Sequence, residues 1–165
     1  MDKKCDSLLA AAPKTVRITF HAKDGGQYEM KENGVKKTSL VFNKTGQTVG
    51  GQPMKKKDYF LIEFTLKDET TAGNLQVPPN PIEAFWVCTA RQQNPPTCPT
   101  TASYDSDIFA VCVDPDKGIL TVRNEDDVVE DFMFTLRFLP AGADPKVPAN
   151  YVAYDPIGQN QNGGS

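Results

Sequence analysis

The chain has 165 residues, of which 39% are hydrophobic and 24% charged, and its formal net charge is -3. This length matches one domain that can bury about two thirds of its unfolded surface without cross-links. The weak negative charge argues against a nucleic-acid-binding protein, since such proteins carry a strong positive field. No run approaches the ~20 apolar residues of a membrane-spanning helix.

The charge is unevenly distributed along the chain. Residues 1–83 hold thirteen Lys and Arg against ten Asp and Glu, whereas residues 84–165 hold five against eleven. An uneven but solvated surface is the simplest interpretation. The alternative is head-to-tail self-association between a basic and an acidic region.

The first predicted strands form hairpins. Apolar residues alternate with polar ones over residues 16–20, as in a half-buried strand, and Asp24-Gly25-Gly26 supplies a turn into a second strand at 28–30. Asn33-Gly34 favours a tight primed turn. Residues 39–43 are therefore predicted to return as a third strand.

Two later windows alternate almost without error and predict the strongest strands. The apolar positions are Phe60, Ile62, Phe64 and Leu66 in one, and Phe132, Phe134, Leu136 and Phe138 in the other. Between them, residues 84–88 form a continuous apolar run, and residues 108–113 and 119–123 flank the turn Asp114-Pro115-Asp116-Lys117-Gly118. A strand at 131–139 is predicted to continue this hairpin as a meander.

The fold class that follows is all-β, an antiparallel β-sandwich of about eight strands in a single domain, immunoglobulin-like or jelly-roll. The predicted divisions are an N-terminal arm at 1–14, the sandwich at 15–154 and a polar Gly/Asn/Gln tail at 155–165. Such a tail is expected to be disordered unless it adds to a sheet edge or lies in a groove of a neighbouring subunit.

An acidic cluster is the most testable candidate site. In an antiparallel hairpin the start of the first strand lies beside the end of the second, which brings five carboxylates to one end of the sandwich: Asp105, Asp107, Glu125, Asp126 and Asp127. Calcium takes six to eight oxygen ligands from loops of this kind. The spacing matches no specific calcium motif, so a solvated acidic face is the simpler interpretation.

The four cysteines match no zinc-binding spacing. Cys112 lies in an apolar run and is predicted to be a small buried hydrophobe with a reduced thiol. A disulfide between Cys88 and Cys98 is the less favoured alternative.

Residues 7–12 are too short an apolar stretch for a signal peptide, which favours a cytoplasmic protein. A signal already removed, or a leaderless export route, would leave the same sequence.

The other polar residues considered are given structural interpretations, not catalytic ones. His21, the single histidine, is predicted to be an exposed strand residue, and Glu63 and Arg137 are predicted to pair across the two strongest strands. Lys55-Lys56-Lys57 precedes a hydrophobic strand and is interpreted as a gatekeeper that keeps this strand soluble.

No catalytic motif or cofactor motif is present, and the sequence resembles no family closely enough to transfer a function. A β-sandwich without catalytic residues predicts a non-enzymatic protein that acts by surface recognition or self-assembly, with a second copy of the chain as the expected partner. One alternative is a calcium-dependent ligand-binding or membrane-surface module. A second is an enzyme with an unmotified pocket.

Overall fold

The computed structural model describes residues 14–161, which form fourteen strands. In chain order they are β1 (Lys14–Ala22), β2 (Tyr28–Glu32), β3 (Val35–Lys37), β4 (Leu40–Phe42), β5 (Thr48–Val49), β6 (Gln52–Pro53), β7 (Phe60–Asp68), β8 (Leu75–Gln76), β9 (Phe85–Thr89), β10 (Ile108–Asp114), β11 (Ile119–Asn124), β12 (Glu130–Pro140), β13 (Val152–Tyr154) and β14 (Ile157–Asn160). One helical turn, α1 (Pro81–Ala84), and 3-10 turns at Asp24–Gly26 and Pro148–Asn150 complete the regular structure of this range. The predicted all-β, sandwich-like single domain is confirmed.

The first sheet has six strands in the order β10-β11-β7-β1-β2-β3. β1 and β7 pair in parallel, with Ile18 opposite Phe64, and the other neighbours are antiparallel. β10 and β3 are therefore the two edges of this sheet, at opposite sides of the domain.

The second sheet is built around β12, the longest strand. β9 and β8 pair with it, as do β13 and β14, and β4 continues the sheet by pairing in parallel with β14. β5 and β6 form a separate two-stranded hairpin.

Aromatic rings from the two sheets meet in one core. Phe64 of β7 faces Phe134 of β12 with ring centroids 5.8 Å apart, and Phe20 of β1 lies 5.7 Å from Phe138. All the predicted inward residues of β7 and β12 belong to this core, with Leu66 only partly buried against it. The alternation in the sequence therefore identified the core faces correctly.

Local turn signals predicted two hairpins correctly, since β1 pairs with β2 across the 3-10 turn and β10 pairs with β11. The turn at Asn33-Gly34 is also correct, but the strand that returns from it is β3. The predicted return of residues 39–43 is wrong, because β4 pairs with β14 in the second sheet. Asn33 and Gly34 have φ values of 51° and 79°, the left-handed conformation that a primed turn requires.

Some of the predicted pairing is wrong. β12 does not continue the β10–β11 hairpin as a meander but crosses to the second sheet, where Phe134 pairs with Val87 of β9. The strands are also not all antiparallel, and the excess over eight comes from strands of two to four residues. These short strands have too few residues to show a periodic pattern.

The C-terminal segment is part of the sheet. β14 lies between β12 and β4, so the strand order includes residues that the sequence placed in a polar tail. Gly158 makes this possible, because a Cβ at that position would lie 2.3 Å from the Phe132 ring. The predicted arm lies outside the described residues except for Lys14, which begins β1.

Within residues 14–161, no helix has the length and apolar character needed to cross a membrane.

Candidate functional site

An apolar groove lies where β10, the edge of the first sheet, meets β9 of the second. It encloses about 300 Å³ and is lined by Ile82, Phe85, Val87, Tyr104, Asp105, Ile108, Phe109 and Ala110. Tyr104 is 49% exposed and Ile82 equally so. A groove with exposed aromatic and aliphatic side chains is a typical site of recognition.

The helix α1 and a loop form the walls of this groove. Asn80 caps α1 by accepting a hydrogen bond from the Ile82 amide, and Pro81 occupies its first turn. Ser103 holds the loop against β9, because its carbonyl accepts from Val87 N–H at 2.9 Å and its hydroxyl donates to Val87 O at 2.7 Å. The loop therefore covers the edge of β9.

The outer edge of β10 is the second feature of this site. Among the described strands it pairs only with β11. Such an edge presents unpaired backbone donors and acceptors to an incoming strand.

The opposite edge of the first sheet is β3, with the sequence Val35-Lys36-Lys37. Val35 is 59% exposed. Within residues 14–161, this strand pairs only with β2. It therefore presents one apolar side chain and two lysines at an open edge.

The predicted acidic residues do gather near the start of β10. The Glu125 amide donates to Asp107 O at 2.8 Å, and the Asp127 amide donates to the Asp107 carboxylate. Asp126 is fully buried with φ 50°, and its amide donates to Asn124 Oδ1. The hairpin geometry thus brings the two loops together as expected.

Basic side chains are interleaved with these carboxylates. Arg91 Nη2 lies 2.8 Å from Asp105 Oδ1, and Arg123 Nε lies 2.8 Å from Glu125 Oε1. Lys44 Nζ lies 3.5 Å from Asp127 Oδ1. No group of three or more His, Cys, Asp or Glu within residues 14–161 has an arrangement suited to a metal ion. Calcium binding stays a prediction, and these cations compete with it for the carboxylates.

A buried amide pair joins the two sheets beneath this cluster. Asn124 of β11 and Asn160 of β14 exchange hydrogen bonds of 2.8 and 2.9 Å, and both are fully buried. Asn160 Nδ2 also lies 3.5 Å from Asp107 Oδ2. Asn160 therefore anchors the C-terminal strand to the first sheet.

Asp107 makes stability depend on pH. Burial raises the pKa of its carboxyl from 3.8 to about 6, and the negative charge of Asp127 adds to the rise. Between these two pH values the folded state binds a proton that the unfolded state has lost. The resulting contribution of Asp107 to the free energy of unfolding is complete below pH 3.8 and disappears as the pH rises through about 6. The free energy of unfolding should fall by an amount on the order of 2–3 kcal/mol over this range.

Urea unfolding at a series of pH values tests this for the wild type and Asp107→Asn. The amide imitates the protonated carboxyl, so the variant should gain stability over the wild type as the pH rises from about 4 to 7. A stability difference that is constant across this range would show that Asp107 does not titrate as described. The comparison removes the opposite effect of carboxylates such as Glu29 and Asp68, whose pKa values are lowered.

The cysteine predictions are correct in part. Cys88 and Cys98 are free. Cys112 is buried but disulfide-bonded, so the prediction of a reduced thiol is wrong there. A bulge between Ala110 and Cys112 places Cys112 opposite Thr121, on the face of β10 that points away from the core. The apolar run alone did not reveal this bulge.

Two predicted polar positions have other partners. Glu63 lies 3.6 Å from Arg17 Nε, whereas Arg137 pairs with Glu83 at 3.1 Å, so their predicted mutual pair is wrong because they belong to different sheets. His21 is buried, not exposed, and its Nδ1 lies 3.1 Å from Glu69 Oε2.

The three consecutive lysines fit their predicted position. Lys55, Lys56 and Lys57 are exposed and precede β7.

The sequence did not identify Arg137 as a structural centre. Its guanidinium lies between two rings, 3.7 Å from the Trp86 ring centroid and 4.0 Å from that of Tyr151. Its Nη1 also donates to Glu83 O at 2.8 Å. These partners come from two segments distant from Arg137 in the chain, residues 83–86 and Tyr151, and no local pattern links them to it.

No protein-family model matches the chain, and a comparison with curated proteins found no match. The function has to be argued from the surfaces described above.

Proposed function

We propose that this protein is a non-enzymatic β-sandwich that binds a second copy of itself, through head-to-tail contact between the two edges of the first sheet. In this arrangement β3 of one copy adds to β10 of the next. The observation that carries the proposal is the apolar groove beside β10, which pairs only with β11 among the strands of residues 14–161.

Apolar complementarity supports this pairing. Val35 is an exposed aliphatic residue on β3, and the groove beside β10 offers Tyr104 and Ile82, each about half exposed. Burying Val35 in the groove would remove all three from water, and burial of one Val side chain contributes about 1.5–3 kcal/mol. Strand addition would also satisfy backbone groups on both edges.

Charge complementarity supports the same orientation. β3 carries Lys36 and Lys37, whereas the predicted acidic cluster near the start of β10 holds more carboxylates than the basic side chains that pair with it within residues 14–161, which are Arg91, Arg123 and Lys44. Like charges repel, so a contact between the acidic regions of two copies, with β10 facing β10, is disfavoured. This agrees with the unequal charge of the two halves of the sequence.

Such a contact uses different surfaces on the two partners. Each joined pair then keeps one unused β3 edge and one unused β10 edge, so assembly closes into a ring or continues as a filament. The calcium-dependent alternative has less support, because Arg91, Arg123 and Lys44 already pair with the carboxylates it needs.

The cytoplasmic location stays a prediction from sequence. The disulfide at Cys112 weighs against it, since disulfides persist mainly in oxidising compartments.

Complementation between two variants tests the proposed contact. Val35→Asp removes the β3 side of the contact and Tyr104→Asp removes the groove side, so each variant alone should be monomeric by light scattering. A mixture should form a one-to-one dimer and nothing larger, because only one productive pair of edges remains. Both changes are at exposed positions, which lets the variants fold.

Val41→Asp is the matched control. Val41 is 53% exposed on β4, in the second sheet and outside both edges, so this variant should assemble like the wild type. If Val35→Asp and Tyr104→Asp both retained the wild-type particle mass, the two edges would not be the contact and the proposal would be wrong.

A further inference from the structure

Lys44 is a lysine buried without access to water. It is 1% exposed and lies two residues after the end of β4, with the side chain on the same inward side as Phe42. Its Nζ donates to Lys56 O at 2.7 Å, which holds the amine in one position. Lysine is almost never fully buried unless it is paired.

The partner of this amine is the carboxyl group of Asp127. Lys44 Nζ lies 3.5 Å from Asp127 Oδ1, and the Asp127 side chain is about half exposed. A nucleophilic nitrogen and a carboxyl carbon are thus fixed next to each other, with an open path to solvent on the carboxyl side. This proximity is what an intramolecular condensation requires.

A second carboxyl group lies beside the first. Asp107 is buried, accepts a hydrogen bond from the Asp127 amide and interacts with the Asp127 charge. Burial raises the pKa of Asp107 to about 6, so near neutral pH it exchanges readily between acid and base. The other groups that act on it are Arg91, Asp105 and the Asn160 amide.

We propose that Lys44 and Asp127 become joined by an intramolecular amide bond after the chain has folded, with Asp107 carrying the proton. A proton first passes from the Lys44 ammonium to the Asp127 carboxylate. The resulting amine attacks the Asp127 carboxyl carbon, and a nitrogen–carbon bond forms. The carbon–oxygen bond to the hydroxyl then breaks. Asp107 supplies a proton to this hydroxyl, which leaves as water, and regains one from the nitrogen.

The bond would connect two distant parts of the chain. It would tie the segment after β4 to the connection between β11 and β12, and so fasten the edge of the second sheet to the loop that leaves the first. Strands held in this way could not separate from this end, even in denaturant.

Intact-mass spectrometry of the full chain tests the proposal. After the folded protein is incubated near pH 6 and then denatured, its mass should be lower by one water molecule than the sequence requires. Proteolysis should yield one branched peptide that contains Lys44 and Asp127. A full sequence mass, without a branched peptide, would overturn the proposal.

Variants separate the reaction from other losses of water. Asp107→Asn, which keeps the shape but cannot carry the proton, should retain the full mass, as should Lys44→Arg. Lys55→Arg, at an exposed lysine, should lose water like the wild type. Water loss in folded Lys44→Arg would also overturn the proposal, since another residue would then be the site.

Discussion

Replacement of Phe134 by aspartate should leave the chain unfolded. The Phe134 ring lies at the centre of the core, with ring centroids 5.8 Å from Phe64, 5.5 Å from Phe85 and 6.0 Å from Phe132. A carboxylate there would have no water and no cation, which costs several kcal/mol in addition to the ~3–5 kcal/mol of the lost ring. This sum is comparable to the ~5–15 kcal/mol that stabilises a domain. Phe64→Asp should behave in the same way.

Circular dichroism and thermal unfolding would measure this effect. Val41→Asp introduces the same charge at an exposed strand position and should change stability by less than about 0.5 kcal/mol. Phe134→Leu should fold with reduced stability, because it loses ring contacts but buries no charge. A cooperative unfolding transition of Phe134→Asp near that of the wild type would contradict the assignment of the core.

Arg137→Ala should cause the next largest loss of stability, by about 2–4 kcal/mol. The guanidinium is buried between Trp86 and Tyr151 and pairs with Glu83. Each ring contact contributes about 0.5–2 kcal/mol, and removal of the side chain also leaves the two rings without packing. Since Glu83 is partly exposed, water can solvate it afterwards, which limits the loss.

Urea unfolding of three variants would separate these contributions. Arg17→Ala, which removes an arginine whose side chain is 72% exposed, should cost less than about 1 kcal/mol. Arg137→Lys should recover the charge but not the flat stacking, so its stability should lie between those of Arg137→Ala and the wild type. If Arg137→Ala and Arg17→Ala had equal effects, the stack would not stabilise the fold.

Local features of the fold could be predicted from the sequence because their causes are local. The alternation of β7 and β12 sets which faces point inward, and Asn33-Gly34 sets its own turn through backbone conformation. The β10–β11 hairpin likewise follows from the turn that ends at Gly118. None of these depends on residues far along the chain.

Long-range pairing could not be predicted in the same way. The parallel pairing of β1 with β7 and the crossing of β12 to the second sheet depend on which distant strands compete for each edge. The tail that contains β14 was expected to be ordered only if it added to a sheet edge, because Ile157 is the one apolar side chain of this strand. Its place in the sheet depends on Gly158 under the Phe132 ring and on the Asn124–Asn160 pair. The bulge next to Ala110 leaves no trace in the apolar pattern.

In the candidate site, too, the features with local causes could be predicted and those that depend on tertiary structure could not. The meeting of Asp107 with Glu125 follows from hairpin geometry and was predictable. The groove combines Ile82 of α1, Tyr104 of a loop and Phe109 of β10, so it exists only once the two sheets pack. The buried position of Lys44 beside Asp127 likewise depends on tertiary structure.

The particle mass of the unmodified protein in solution, measured by light scattering over a range of concentrations and salt, is the most direct test of head-to-tail assembly. The proposed contact predicts a mass above the 18.1 kDa of one chain that increases with concentration. It also predicts that added salt lowers this mass, since salt screens the attraction between Lys36 and Lys37 and the carboxylates near β10. A constant mass of one chain under all these conditions would contradict self-assembly.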